Sequence, residues 1–250
     1  MELLDYVIVL VAAMVPSLVY LIWVRNSERR TRERWAYVLS VYLFGMVVSV
    51  MAAVLIEGAA VLVLYTSGSI LDQGLWSFEP YDPTLATILV SVIIAPYVEE
   101  WTKGWGVVSI RHKIKMPQDG FVYGAAAGLG FAAMENIFYN SAAILSGYDV
   151  FWTTAMLRAV SSTLLHASAS AILGYGIARK YLLGAKGIRG HWLPYYLAAA
   201  TLHATFNSMA VASEVFDDPN AAYYGVIGAT ALAVSMFWWM KREIRIMDSR

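Results

Sequence analysis

Residues 35–65 read WAYVLSVYLFGMVVSVMAAVLIEGAAVLVLY, and Glu57 is the only side chain in the run that is charged at neutral pH. As a helix rising about 1.5 Å per residue, the run would be about 46 Å long, against about 30 Å for the hydrocarbon core of a bilayer. It has length to spare for tilt or projection. Six further stretches hold roughly 20 mostly apolar residues each, namely 6–24, 85–110, 119–145, 153–178, 191–212 and 221–240. The runs are continuous, unlike the ~10-residue alternating segments of a closed barrel. The expected fold is therefore all-α, a polytopic membrane protein of about seven transmembrane helices forming a single domain over 1–250.

Composition agrees. The chain is 59% hydrophobic and 14% charged, whereas soluble domains run near 45–50% and about 25%. Disorder, a collagen-like fibre, a basic nucleic-acid binder and an ordinary cytosolic globule are excluded. There is no cysteine, so disulfides and thiolate metal sites are out.

A formal net charge of zero conceals a spatial pattern. Arg25, Arg29, Arg30, Arg32 and Arg34 follow the first apolar run; Arg111, Lys113 and Lys115 follow the third. Arg179, Lys180, Lys186 and Arg189 follow the fifth, and Lys241, Arg242, Arg245 and Arg250 follow the last. The intervening connections carry acids instead: Asp72, Glu79, Asp82, Asp149, Glu214, Asp217 and Asp218. Under the positive-inside rule this alternation predicts an outer N-terminus and a cytoplasmic C-terminus. The connection 66–84, with Leu75, Trp76 and Phe78 among turn formers, is expected to lie on the membrane surface.

Charges at mid-bilayer cost at least ~2.5–3.5 kcal/mol and mark function by default. Lys103 and Arg158 are the basic residues outside the basic connections; Glu99, Glu100 and Glu135 lie well inside apolar runs, as do His166 and His203. From the predicted cytoplasmic ends, Glu100 is roughly 15 Å deep, Glu135 roughly 24 Å, and His166 and His203 roughly 18 Å each. Four successive helices thus deliver a ligand or acid–base group to one layer. Glu57 is less deep and reads as part of a helix end near the outer surface.

Spacing supports a shared site. Lys103 is one helical turn from both Glu99 and Glu100 and can offset either; adjacent glutamates point about 100° apart, so one is expected to face the centre. His203 and Asn207 share a face, as do Ser162, His166, Ser170 and Gly174. Gly120, Gly124 and Gly128 form a small-residue ridge whose simplest use is close helix packing. Zinc catalysis commonly uses three N/O ligands and an open position, which Glu135, His166 and His203 can supply. Glu99 or Glu100 would then serve as general base and Asn207 as an oxyanion donor. Three carboxylates against Lys103 leave −2, which a divalent cation would neutralise. Arg158 lies on the face of His166, either snorkelling outward or holding a substrate carbonyl or carboxylate. Such a site suits peptide-bond hydrolysis in the membrane. A proton- or cation-coupled transporter using the same groups as a relay is the alternative.

HExxH is absent, no GxGD falls in an apolar run, and no rhomboid-like Ser–His pair appears. At four places the sequence instead resembles the PrsW family of intramembrane metalloproteases, distantly similar to the CAAX-processing and bacteriocin-processing protease superfamily. Glu99-Glu100-Trp101-Thr102-Lys103 fits EExxK; Phe131 through Glu135-Asn136 to Tyr139 fits FxxxENxxY; His166 opens the third motif, and His203 through Asn207 fits HxxxN. The resemblance covers about half the chain, with catalytic helices near 85–212. It implies a multi-pass peptidase of the cell membrane acting on a membrane-anchored protein; bacterial members are associated with destroying anti-sigma factors. By analogy with the wider superfamily Glu99 is the base and Glu100 supports it. Zinc-dependent and glutamate-only hydrolysis both stay open.

Overall fold

The computed structural model describes residues 2–71, 88–184, 191–216 and 218–249. Most of the surface segment expected at 66–84 lies outside them, as do Asp72, Glu79, Asp82, Lys186, Arg189, Asp217 and Arg250. Among the described residues all regular structure is helical. In chain order it comprises α1 (Leu3–Arg25), α2 (Trp35–Leu43), a π-helical turn Phe44–Ser49, and α3 (Val50–Leu71). A second π-helical turn, Leu89–Ile94, runs into α4 (Ala95–Ser109), followed by a 3-10 turn, Arg111–Lys113. Then come α5 (Pro117–Leu145), α6 (Tyr148–Val160), α7 (Ser162–Leu183), α8 (Leu193–Ala210), the short α9 (Ala212–Val215) and α10 (Pro219–Asp248).

Among the described residues four helices are long and apolar enough to cross a membrane: Leu3–Arg25, Trp35–Val63, Pro117–Leu145 and Asn220–Asp248. The helical stretches expected at the third, fifth and sixth runs are interrupted or richer in polar residues. Of the four, α5 is the central rod. In its most apolar window 78% of the residues are buried, against 22–33% in the others. Its glycines explain why. A Cβ at Gly120, Gly124 or Gly128 would overlap the backbone carbonyl of Gly174, Ser170 or His166 respectively. The ridge is a packing device, as expected, and it brings the α7 backbone against α5 along three turns.

The fifth apolar run, expected as one helix, is broken at Ser161. Ser161 Oγ donates to the Leu157 carbonyl at 2.6 Å, and Thr163 Oγ1 donates to the Arg158 carbonyl at 3.0 Å. Hydroxyls that capture nearby carbonyls compete with the helix ladder. The break between α6 and α7 turns Arg158 back toward α5.

The π-helical turn before α4 has a covalent cause. Ala95 N–H bonds to the Val90 carbonyl, five residues back. In that register the Ser91 carbonyl would pair with residue 96, which is Pro96 and has no N–H. The freed carbonyl accepts instead from Asn207 Nδ2 at 2.7 Å, tying α8 to the entrance of α4.

The basic connections gather at one end of the bundle. Asp248, in the last turn of α10, accepts from the backbone N–H groups of Arg29 and Arg30 at 2.6 and 3.0 Å and from the Thr31 hydroxyl at 3.0 Å. Beside this latch three acids are buried: Glu28, Glu33 and Asp119. Tyr123 donates to Glu33, and Asp119 Oδ2 caps the start of α5 by accepting from Lys115 and Met116 N–H. Burial, reinforced by the neighbouring Asp119 charge, pushes the Glu28 carboxyl up to about 8. Burial likewise raises that of Glu33 to about 6.

Candidate active site

α4, α5, α7 and α8 each contribute to one buried polar cluster, and Lys103 is its hub. The side chain is fully buried. Its Nζ lies 3.0 Å from Glu99 Oε2, 2.9 Å from Glu100 Oε1 and 2.8 Å from His166 Nδ1. Its fourth side faces the Phe131 ring, 4.1 Å from the centroid. Three acceptors and an aromatic face replace the water a buried ammonium gives up, so the charge is retained.

The two glutamates differ. Glu100 is fully buried and both its oxygens are engaged: Oε1 by Lys103 and by His203 Nδ1 at 3.2 Å, Oε2 by the Ser170 hydroxyl at 2.8 Å. Glu99 is slightly open and uses Oε2 for Lys103. That same oxygen lies 3.9 Å from His166 Nδ1 and 3.9 Å from His203 Nε2. Among the described residues no hydrogen bond reaches Glu99 Oε1. The imidazoles meet edge to face, with centroids 4.7 Å apart.

Glu135 sits on the other side of His166. Its Oε2 lies 2.9 Å from His166 Nε2 and 2.8 Å from Arg158 Nη2. Arg158 also donates to Asn136 Oδ1 at 2.7 Å and to Ser162 Oγ at 3.1 Å, and stacks 3.8 Å from the Tyr139 ring centroid. Asn136 in turn donates to Thr163 Oγ1 at 2.9 Å. The guanidinium therefore clasps the Glu135-Asn136 pair instead of extending away along α6.

Glu99, Glu100, Lys103, Glu135, His166, His203 and Arg158 thus join one continuous network, whereas Asn207 is committed to the Ser91 carbonyl. A metal set of Glu135, His166 and His203 was the expectation. The ligand atoms that lie within 4.8 Å of one another belong to Glu99, His166 and His203. One carboxylate and two imidazoles are donors of the right type for zinc. Two features bear on the fit. Both His166 nitrogens already have partners, Lys103 and Glu135, so ligation through His166 would take one of those contacts. Arg158 also lowers the charge left over, from the expected −2 to −1 with neutral imidazoles. A divalent cation would then bring the cluster to +1.

Two contributors were not anticipated. Phe131, in the sequence no more than a motif position, supplies the face under the ammonium. Glu57 was placed at the outer surface, yet it is half-buried, and Glu99, Lys103 and Glu135 are its charged neighbours. Its Oε1 is buried with no hydrogen-bond partner among the described residues. The available signal was its isolation as the one acid in a 31-residue apolar run.

Acid, imidazole and ammonium groups buried together inside a membrane-type helical bundle suit either an intramembrane enzyme or an ion relay, and the family decides between them. The model of a family described as PrsW family intramembrane metalloprotease matches residues 33–239, and the chain belongs to that family. Curated relatives named Protease PrsW include one from Clostridioides difficile (strain 630), 26% identical over 199 residues, 78% of this chain and 76% of the relative. Another, from Geobacillus kaustophilus (strain HTA426), is 26% identical over 228 residues, 91% of this chain and 86% of the relative. A third, from Bacillus subtilis (strain 168), is 30% identical over 131 residues, 50% of this chain and 56% of the relative. No solved structure matches the chain. The protein is a peptidase and a multi-pass protein of the cell membrane, and its substrate is a protein. Membership sets it apart from the transporter alternative.

Proposed function

We propose that the chain hydrolyses a peptide bond in a membrane-anchored, anti-sigma-factor-like protein, with the Glu99–His166–His203 cluster as the reacting centre. The carrying observation is the asymmetry of the glutamate pair. Glu100 is locked by three partners, while Glu99 presents one oxygen to the imidazoles and keeps the other free for water. Glu99 takes the proton from the attacking water, and His203 stands beside the carbonyl under attack. Lys103 and Glu100 hold these groups in register, and the enclosed Lys103 charge acts on the reacting atoms only through its field. Arg158 fixes Glu135, and Glu135 orients His166. Asn207, expected to donate to the oxyanion, acts in this reading by fixing α8 to the start of α4.

Zinc would be held by Glu99, His166 and His203, and Glu135 would orient His166 through its Nε2 contact. When bound, zinc would supply Lewis acidity and a water more easily deprotonated. The helical stretches between 3 and 248 make seven crossings, with the N-terminus outside and the basic end in the cytoplasm. They form one domain whose catalytic helices occupy about 85–212.

The test is cleavage of a single-span protein substrate in liposomes by wild type, Glu99→Gln, Glu135→Ala and His203→Ala. Loss of about 10²–10⁴-fold in rate for Glu99→Gln is expected of a removed general base. Wild-type rates in all three variants overturn the assignment. Metal analysis before and after chelation separates the two chemistries: full activity in a metal-free preparation assigns the work to Glu99 and the imidazoles alone.

A further inference from the structure

A second site lies on the opposite face of α4 from the catalytic groups. Trp101 and Trp105, directly after Glu100 and one turn later, point outward and are 43% and 38% exposed. With Trp192 they wall a groove of about 340 Å³ between α4, α7 and the start of α8. Gly104, Leu173 and Ile177 form its floor. Gly104 keeps the floor open, since a Cβ there would already stand 3.0 Å from Leu173 Cδ2. At the end where the basic connections gather, Arg111 and Lys180 close the groove. Neither has an acidic partner within ion-pair distance among the described residues; Arg111 Nη1 reaches only the Val108 carbonyl, at 3.0 Å.

We propose that this groove binds an anionic phospholipid, its acyl chain against the indoles and its phosphate between Arg111 and Lys180. Apolar walls ending in two cations select the occupant: indoles and aliphatic side chains along the groove suit a hydrocarbon chain, and Arg111 with Lys180 at its mouth suits a negative headgroup. Two cations with no acidic partner among the described residues, at a groove mouth between helices, match a headgroup phosphate, as basic pockets between membrane helices do generally. The site is independent of the peptidase chemistry, although its wall residue Trp101 adjoins Glu100.

Brominated lipids test this through the tryptophans. The protein is placed in zwitterionic nanodiscs doped with phosphatidylglycerol or phosphatidylcholine carrying brominated acyl chains, and indole emission is read. Brominated phosphatidylglycerol should quench at mole fractions on the order of tenfold lower than brominated phosphatidylcholine. Arg111→Gln with Lys180→Gln should erase that difference. Arg34→Gln with Arg242→Gln, which removes equal charge elsewhere, should keep it. Val108→Phe, which fills the groove without adding an indole, should also erase it without changing net charge. Equal quenching by the two lipids, or equal loss in the Arg34/Arg242 control, overturns the proposal. Cross-linking of a Val108→Cys probe to a peptide substrate, with no lipid preference, overturns it as well.

Discussion

The Lys103 ammonium lies 2.8 Å from His166 Nδ1, and that contact assigns the imidazole tautomer. A charged ammonium can only donate, so Nδ1 accepts and the ring proton sits on Nε2, where it donates to Glu135 Oε2 at 2.9 Å. One cation thereby sets the direction of hydrogen bonding from α4 through α7 to α5.

Removing that cation should be severe. Lys103→Met leaves Glu99 and Glu100 adjacent with no counter-charge, and breaking a buried pair costs about 3–5 kcal/mol. A marked fall in the unfolding midpoint is expected, together with loss of cleavage. Lys103→Met combined with Glu100→Gln should recover part of the stability and none of the activity. If Lys103→Met unfolds like wild type, the hub assignment fails.

The glycine ridge makes a geometric prediction. Gly128→Ala drives a methyl group into the His166 carbonyl and should cost about 1–3 kcal/mol, as overpacking does. Because His166 itself must shift, activity should fall further than the loss of folded protein explains. Gly58→Ala, which meets nothing within 4 Å, should be silent in both assays. Comparing specific activity per folded molecule checks this.

Asn207 and Pro96 should behave as a coupled pair. Asn207→Ala strands the part-buried Ser91 carbonyl, at about 1 kcal/mol, the low end for an unsatisfied group. Pro96→Ala supplies the missing N–H, so Asn207→Ala should cost less in that background. A double-mutant cycle on thermal stability measures the coupling. Purely additive effects would mean that the carbonyl is not what Asn207 serves.

Stability should depend on pH through the acids beside the Asp248 latch. Burial raises Glu28 to about 8 and Glu33 to about 6, so the folded state holds protons that the unfolded chain releases near pH 4.5. Their contribution is complete below that pH. The Glu33 part is lost as pH rises through about 6, and the Glu28 part through about 8, a few kcal/mol in all. Unfolding midpoints should therefore fall between pH 5 and 9 in wild type and fall less in Glu28→Gln. Parallel curves would show that Glu28 is not protonated in the folded protein.

The helices were legible because a bilayer imposes a length on apolar runs. The clustering of the candidate residues was legible because a charge inside such a run needs a buried partner. Arg158 was less so: its membership follows from the Ser161 break, and hydroxyl capture of carbonyls leaves no mark in hydropathy. The grouping of Glu99 with the imidazoles depends on rotamers and on the tight α5–α7 spacing, neither of which depth along a helix reports. Glu57 reads as shallow because the apolar run stops at Tyr65, whereas the helix continues to Leu71.

The Phe131 ring beneath Lys103 has one more consequence. An ammonium shielded by an aromatic plate and three acceptors meets neither bulk water nor mobile counter-ions, which screen exposed charges over about 8 Å at physiological ionic strength. Its field on the reacting atoms is that of a permanent fixture. The rate of bond cleavage should stay level as potassium chloride is raised, while steps that bring a charged substrate tail to the membrane surface slow down.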